Sequence, residues 1–516
     1  MENNQFEQYN QIPAEKFAFV TDVDRTHDKR FETKPVGYFR DAFNRFKKNK
    51  ASLVAAIIII VLLLYALIGP LLFSQEYQDS YLENKKMLVN YKELKPKLFG
   101  GGGFWDGSTT SEYAEVGYWK LKAIAQETGY NPVMKVLSER TTSDVFDGDK
   151  TYYKIRVNSY YRIGVIQMTM TSAQYVALQE WQKENNMQVI LPQVSQSNSE
   201  SIIWYKSDEK GNPILDENGN LQNDYVISSG RDDYNSTRLA SDPYNSGDTA
   251  NAWSYAQRTG KPGSYNYVVR LNAYNYFQYV YGFEPSFIFG TDSNGYDIFS
   301  RLASGARFSF LLAVIVSAIN LTLGAIYGAI EGYYGGVTDI IMERISDVLN
   351  GVPFMVVTVL FQLHLASKVG VVGSLIFAFI LTGWIGMASR VRMQFYRFKN
   401  QEYVLAARTL GANDWRIIWK HIFPNTLGTL ITGCVLVIPG VIFSETSLSY
   451  LGIINLDSSS MSSVGSMLSA GQGVMTSAPH VVLFPAIFIA LLEISFNLFG
   501  NGLRDAFNPS LRGTEE

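Results

Sequence analysis

The feature that most constrains this chain is a set of apolar runs about as long as a bilayer is thick. A helix rises about 1.5 Å per residue, so roughly 20 apolar residues cross about 30 Å of hydrocarbon. The stretch ASLVAAIIIIVLLLYALIGPLLF, residues 51–73, is the plainest case, and it is too long for a signal-peptide core, so it reads as an uncleaved anchor. Further runs fall at about 308–330, 345–366, 369–388, 426–450 and 480–500, with Asp347 and Pro353 interrupting the start of the run at 345. Six crossings are expected.

Between the runs the composition changes in blocks. A polar segment occupies 1–50, a polar stretch lies at 76–287 between the first and second crossings, and 288–512 is mostly apolar. Arg40, Arg45, Lys47, Lys48 and Lys50 precede the first crossing, which places the N-terminus in the cytoplasm. After four crossings the loop 389–424 returns to that side and carries Arg390, Arg392, Arg397, Lys399, Arg408, Arg416 and Lys420; the loop 451–479, after five, has no Lys or Arg. Arg504 and Arg512 put the C-terminus back inside. The fold class expected is an all-α polytopic membrane protein with an inserted α+β extracytoplasmic domain at 76–287. There TYYKIRVNSYYRIGVIQMTM has strand character, TSAQYVALQEWQKENN has helical spacing with Thr171 or Ser172 as a cap, and KGNPILDENGNLQND is rich in turns.

Several classes of chemistry lack their residues. A net charge of -3 provides no basic field for nucleic acid, and the single Cys434 rules out an intrachain disulfide. His27, His364, His421 and His480 are scattered, with no HExxH pair. DENGN has its glycine at the fourth place rather than the sixth that a calcium loop requires, and no GxSxG elbow occurs. LSAGQ at 468–472 looks like an ATPase signature, yet no GxxxxGK[ST] phosphate loop accompanies it. The chain is expected to be no enzyme and to hold no cofactor of its own.

The stretch EYVLAARTLGANDWRIIWKHIFPN, 402–425, stands out. A helix-forming segment reaches Gly411, where a left-handed residue would end it. Asn413 or Asp414 can cap a second helix with Trp415, Ile418, Trp419 and Ile422 on one face and Arg416 and Lys420 on another; Pro424 marks the return to the membrane. Such an elbow serves either as an interfacial helix resting among lipid headgroups or as a docking knob for a cytoplasmic partner.

This stretch resembles the conserved cytoplasmic loop of ATP-binding cassette (ABC) importer permeases, the EAA motif: EAA, three residues, G, nine residues, IxLP. Ala406, Ala407, Gly411 and Pro424 match it, while Leu405, His421 and Phe423 replace the Glu, Ile and Leu. The HIFPN ending is similar to the oligopeptide and dipeptide branch. FRDAFNRFKKNKASLVAAIIII, GTDSNGYDIFSRLASGARFSF, EGYYGG, ETSLSYLG and NLFGNGLRDAFNPSLRG, in that order, resemble its C-type permease subunit. The resemblance covers roughly 35–75 and 285–513. Tyr296 stands where the family has Arg, and Asn501 and Asn508 where it has Asp, departures that bear on local charge pairs rather than on the fold.

The resemblance implies a six-helix permease subunit of an ATP-driven peptide importer in the bacterial cell membrane. Its partners would be a second, homologous permease, two ATPase subunits that bind ATP and Mg, and an extracytoplasmic substrate-binding lipoprotein. The elbow would be the coupling helix, with Ala406, Ala407, Gly411, Asn413, Asp414, Trp415 and Arg416 contacting an ATPase. Nickel, glutathione or another small solute is an alternative cargo, and a receptor or scaffold using the outer domain an alternative class. The insertion is not part of the usual pattern and is expected to dock the binding protein or the partner permease. Glu445 and Glu493, carboxylates within or near crossings, are candidates for the translocation path, and Gly433, Pro439 and Gly440 would permit bending or close packing.

Overall fold

The computed structural model describes residues 38–72, 91–99, 105–144, 148–194, 205–209, 212–226, 238–239, 253–261, 263–456 and 462–507. Most of the N-terminal segment, His27, Asn508 and Arg512 lie outside the described residues. After a short amphipathic helix α1 (Tyr38–Lys48), α2 (Lys50–Leu72) is apolar on every face: Ala55, Leu62 and Ala66 are buried while Ile57, Ile60, Val61 and Leu64 point outward. A helix apolar all round suits a bilayer, where its backbone groups are satisfied internally.

Among the described residues, five segments are long and apolar enough to cross a membrane, including Ile298–Tyr334 (α6), Phe354–Phe398 and His480–Phe507 (α14). The segment Phe354–Phe398 accounts for two of the six expected crossings, because it folds back on itself. Gly370, at φ 80°, breaks α8 (Phe354–Gly383). Across the break the Phe354 and Phe379 ring centroids lie 4.9 Å apart, and the Gln362 amide donates to the Val371 carbonyl at 3.1 Å. One arm advances from 354 to 362 while the other recedes from 379 to 371, so the arms are antiparallel. The first arm begins at Phe354 and not at the expected 345: Gly336–Asn350 form a separate amphipathic helix, α7, and Pro353 follows it.

Helix α9 (Ile385–Phe398) continues the second arm and runs parallel to α6. The seam is built on three glycines one turn apart. A Cβ on Gly324 would lie 2.7 Å from that of Met387, one on Gly332 2.7 Å from that of Phe395, and one on Gly328 would overlap the Ala388 carbonyl. Small residues at this spacing let two backbones touch, which is how helices associate where lipid supplies no hydrophobic drive. The bundle is completed by α12 (Phe423–Tyr450), α13 (Val464–Gly471) and α14, around a core that includes Ala313, Val316, Leu375, Ile442 and Leu492.

The region between α2 and α6 holds two sheets. In the first, β1 (Ser108–Ala114), β3 (Gly148–Asn158) and β2 (Val133–Asp144) are antiparallel in that order; Ile155 and Val157 face Leu121 and Ile124 of α3 (Glu115–Thr128). The second pairs β4 (Val165–Thr171), β8 (Ser264–Asn272), β7 (Ala256–Lys261) and β6 (Arg238–Leu239), with β5 (Ile190–Leu191) also on β8. Helix α4 (Ser172–Glu184) is capped by Thr171 through a reciprocal box with Gln174. A buried ion pair, Glu127 to Arg270 at 2.9 Å, ties α3 to β8. Burial nonetheless pushes the Glu127 carboxyl above its ordinary pKa.

This region is seated on the bundle. After α5 (Ala273–Tyr281), Phe289 stacks on Phe484 of α14 at 4.1 Å, Trp105 lies 5.5 Å from the same ring, and its indole N–H donates to the Ile288 carbonyl. The Lys95 ammonium donates to the Ser477 carbonyl at 2.7 Å. Arg301 in the first turn of α6 pairs with Asp292 at 2.5 Å and lies over the Tyr296 ring, so the tyrosine found where the resemblance expects arginine packs beneath an arginine one turn on.

Gly328→Leu should overpack the α6–α9 seam at a cost of about 1 to 3 kcal/mol, lowering the melting temperature and yield of detergent-extracted protein. Gly386→Ala should change neither, since nothing lies within 4 Å of the position its Cβ would take.

Candidate functional site

The elbow is built from a short helix, a left-handed stop and a second helix that merges with a crossing. In α10 (Glu402–Thr409) only Val404 is buried. The helix ends in a Schellman arrangement: the Ala412 amide donates to the Ala407 carbonyl and the Gly411 amide to the Arg408 carbonyl, both at 3.0 Å, with Gly411 at φ 84°. Of the two cap candidates, Asn413 serves; its side chain accepts from the Arg416 amide at 2.9 Å and starts α11 (Asp414–Arg416).

From Ile417 to Ile422 the chain is a π-helix, which runs into α12 with Pro424 in the first turn. The extra residue per turn rotates the side chains relative to an α-helix. Ile417, Ile418 and Ile422 therefore turn inward against Tyr333, Val391, Phe395 and Val404, whereas Trp415, expected on the same face as Ile418 and Ile422, is 71% exposed. Trp419 bridges the two, its ring 5.4 Å from that of Trp415 and 4.8 Å from Phe423. The second helix does not end at Pro424, which lies in the first turn of α12, so the elbow and the crossing are continuous.

Tyr333, at the end of α6, fixes the elbow in place. Its hydroxyl donates to Asp414 Oδ1 at 2.6 Å and accepts from Arg408 at 3.3 Å, touching both arms at once. Close by, Arg392 of α9 binds Asp339 of α7 through Nε (2.6 Å) and Nη2 (2.9 Å), reaches Glu343 at 2.6 Å and Glu331 at 3.6 Å, and its hydrogen bonds hold the Asp339 carboxyl below its ordinary pKa. Tyr396 also donates to Asp339, at 2.6 Å, and Lys399 to the Gly332 carbonyl at 3.0 Å. Glu331, Asp339 and Glu343 are close enough to hold a cation, and the Arg392 guanidinium supplies that charge. Sequence reasoning singled out neither Tyr333 nor this cluster, since their partners lie far away along the chain.

All seven residues expected on the knob come together there. Ala406, Gly411, Asn413, Asp414, Trp415 and Arg416 are exposed and Ala407 is half-buried. Sequence reasoning missed Leu410, which is 89% exposed beside the stop. A leucine placed just before the glycine turn was the available signal. The two carboxylates expected on a path part company. Glu445 is fully buried, accepting from Ser309 at 3.1 Å and Ser449 at 2.9 Å. Glu493 is half-buried on α14, and its Oε1 has no hydrogen-bond partner among the described residues.

Residues 320–513 match the family described as the binding-protein-dependent transport system inner membrane component, and 37–92 match the N-terminal transmembrane domain of oligopeptide transport permease C. The chain is 43% identical over 224 residues to an oligopeptide transport system permease of Bacillus subtilis, covering 43% of this chain and 72% of that one. It is 42% identical over 225 residues to a dipeptide transport system permease of the same organism, covering 43% and 69%. A glutathione transport system permease of Pectobacterium atrosepticum is 33% identical over 253 residues, covering 48% and 81%.

Because nothing lies within 4 Å of the position a Cβ would take on Gly411, Gly411→Ala should cost only backbone strain, about 1 to 2 kcal/mol. Amide exchange across 402–416 should then accelerate by roughly tenfold, and Gly411→Asn should accelerate it less.

Proposed function

From the premise that the chain belongs to the oligopeptide and dipeptide permeases of the binding-protein-dependent transport system inner membrane component family, we propose that it is the membrane half of an ATP-driven peptide importer. Partner ATPases bind and hydrolyse ATP with Mg. The chain itself is no enzyme and holds no cofactor. A second permease completes the path, and a substrate-binding lipoprotein delivers cargo from outside. Both termini face the cytoplasm, and the sheet-bearing region between α2 and α6 lies outside, where it docks the binding protein or the partner permease.

The observation that carries this reading is the form of the elbow. Two large apolar side chains, Leu410 and Trp415, stand in solvent on a knob whose backbone is fixed by the Schellman stop, the Asn413 cap and Tyr333. Exposed apolar anchors on a rigid mount suit a protein groove, because little ordering entropy remains to be lost on docking. A headgroup-resting helix would instead lay its apolar face flat, and here Ile417, Ile418 and Ile422 are turned into the protein. Movement of a seated knob passes through Tyr333 to α6 and through the Arg392 cluster to α7 and α9.

Leu410→Ala combined with Trp415→Ala should reduce co-purification of the ATPase subunits at least tenfold, as the loss of interface anchors worth more than about 1 kcal/mol each would, with the amount of permease in the membrane unchanged. Full retention of the ATPases would favour the lipid-resting reading. In cells lacking the gene, uptake of labelled tri-alanine should fall while that of glutathione and nickel stays level. The reverse pattern would reassign the cargo.

A further inference from the structure

Between the end of α6 and the fold-back of α8, cover is thin. Among residues 336–363 only Asp339, Ser346, Val357 and Thr358 are buried. Val337, Ile341 and Val348 of α7 recur at i, i+4 and i+11 on one exposed face, and Arg344 stands in the middle of it at i+7. The Arg344 guanidinium donates to Asp347 at 3.0 Å, and the two side chains are 77% and 55% exposed.

Contacts with α6 fix the depth of this face. Arg392 reaches both Glu331 and Asp339, and the Tyr327 hydroxyl donates to the Met342 carbonyl at 2.7 Å. As α7 advances from 339 to 342, α6 recedes from 331 to 327, so α7 runs back alongside α6. Both helices rise about 1.5 Å per residue, which brings Asp347 level with about Thr322, inside the apolar run 308–330. Helix α7 ends at Asn350, and α8 starts at Phe354 without a side-chain cap among the described residues. Phe354 packs on Phe379, whose carbonyl accepts from Asn320 at 3.5 Å, so the break between the two helices lies at a similar depth. Asn350, Gly351, Val352 and Pro353 are all exposed.

Lipid does not suit such a face. Irregular backbone inside the hydrocarbon is found only where protein covers it or water reaches it, and a carboxylate there obeys the same restriction. Between those two covers the neighbouring side chains decide, because Val337, Ile341 and Val348 gain from burial against protein and gain nothing from water. An aliphatic face carrying a few polar groups has the composition of a contact between subunits.

We propose that α7 and the break at 351–353 are where this chain meets the second permease, a membrane subunit that lays an aliphatic helix face on Val337, Ile341 and Val348 and offers hydrogen bonds to Arg344, Asp347 and Asn350. The polar residues set the register of the contact, because a shifted partner would leave them buried and unpaired. This inference rests on the importer reading, which calls for a second permease, and goes beyond it by assigning the surface.

The test uses the complete importer, both permeases and the ATPases together, in proteoliposomes. A photoreactive benzophenone attached to Val348→Cys, with Cys434→Ser to leave one thiol, should cross-link to the second permease. Cross-linking to lipid alone or to an ATPase would overturn the assignment. So would rapid reaction of that thiol with a membrane-impermeant charged maleimide, the result expected of a water-filled passage. Asp347→Leu should lower co-purification of the second permease roughly tenfold, and Asp347→Asn, which keeps a hydrogen-bonding group, should lower it less. Unchanged or tighter association of Asp347→Leu would overturn the register role. If the wild-type chain co-purifies with no second permease, the importer reading itself fails instead.

Discussion

Close backbone contact between α6 and α9 is the constraint on which the other contacts depend, because it sets where both ends of α6 can act. Gly324, Gly328 and Gly332 bring the two helices within reach of each other's main chain, and the same approach brings Arg392 and Phe395 alongside the last turns of α6. At one end Tyr333 then meets the elbow; at the other, Asp297 caps the helix by accepting from the Phe299 and Ser300 amides and Arg301 meets Asp292. One unbroken helix of 37 residues links the elbow to the base of the sheet-bearing region. Side chains any larger at the seam would move both attachments.

Polar groups in this chain are handled in distinct ways, and the differences separate structure from function. Glu445 is surrounded by hydroxyl donors from α6 and α12, which satisfy a buried carboxylate without a counter-charge. The three acids near the elbow share one guanidinium. Glu127 is paired with Arg270 in the interior of the inserted region, where an ion pair has to offset its own desolvation. Each of these has its partners inside the fold. Among the described residues the buried Glu493 Oε1 has none, and Leu410 and Trp415 on the elbow stand in solvent, exposed apolar groups of a kind that marks an interaction surface.

The inserted region is attached to the bundle through a small set of side chains. Its aromatic contacts through Trp105 and Phe289 reach α14, and its charged contacts reach the first turn of α6 and the loop before α14. The region is thereby anchored to two crossings, α6 and α14. The two sheets are likewise joined across α3 and β8 by Glu127 and Arg270.

Much of this was written in local pattern. Apolar run length identified the crossings, since hydrocarbon admits only backbone that satisfies itself. Gly411 declared the elbow's stop, because few other residues accept its dihedral angles, and Asn413 or Asp414 declared the restart, which the structure gives to Asn413. What local pattern did not hold was anything set by a turn of unusual pitch or by a partner far along the chain. The π-helix at 417–422 rotated Trp415 outward although its spacing matched an α-helical face. Pro353 with α7 moved the start of the third crossing, whereas the break between the third and fourth, expected between 366 and 369, falls at Gly370. Glu445 and Glu493 look alike in sequence, each a lone acid in an apolar run. Only the packing of α6, α12 and α14 decided that serines would enclose one and that, among the described residues, Oε1 of the other would have no hydrogen-bond partner, because a neighbour's contribution depends on helix rotation and register that no single segment encodes.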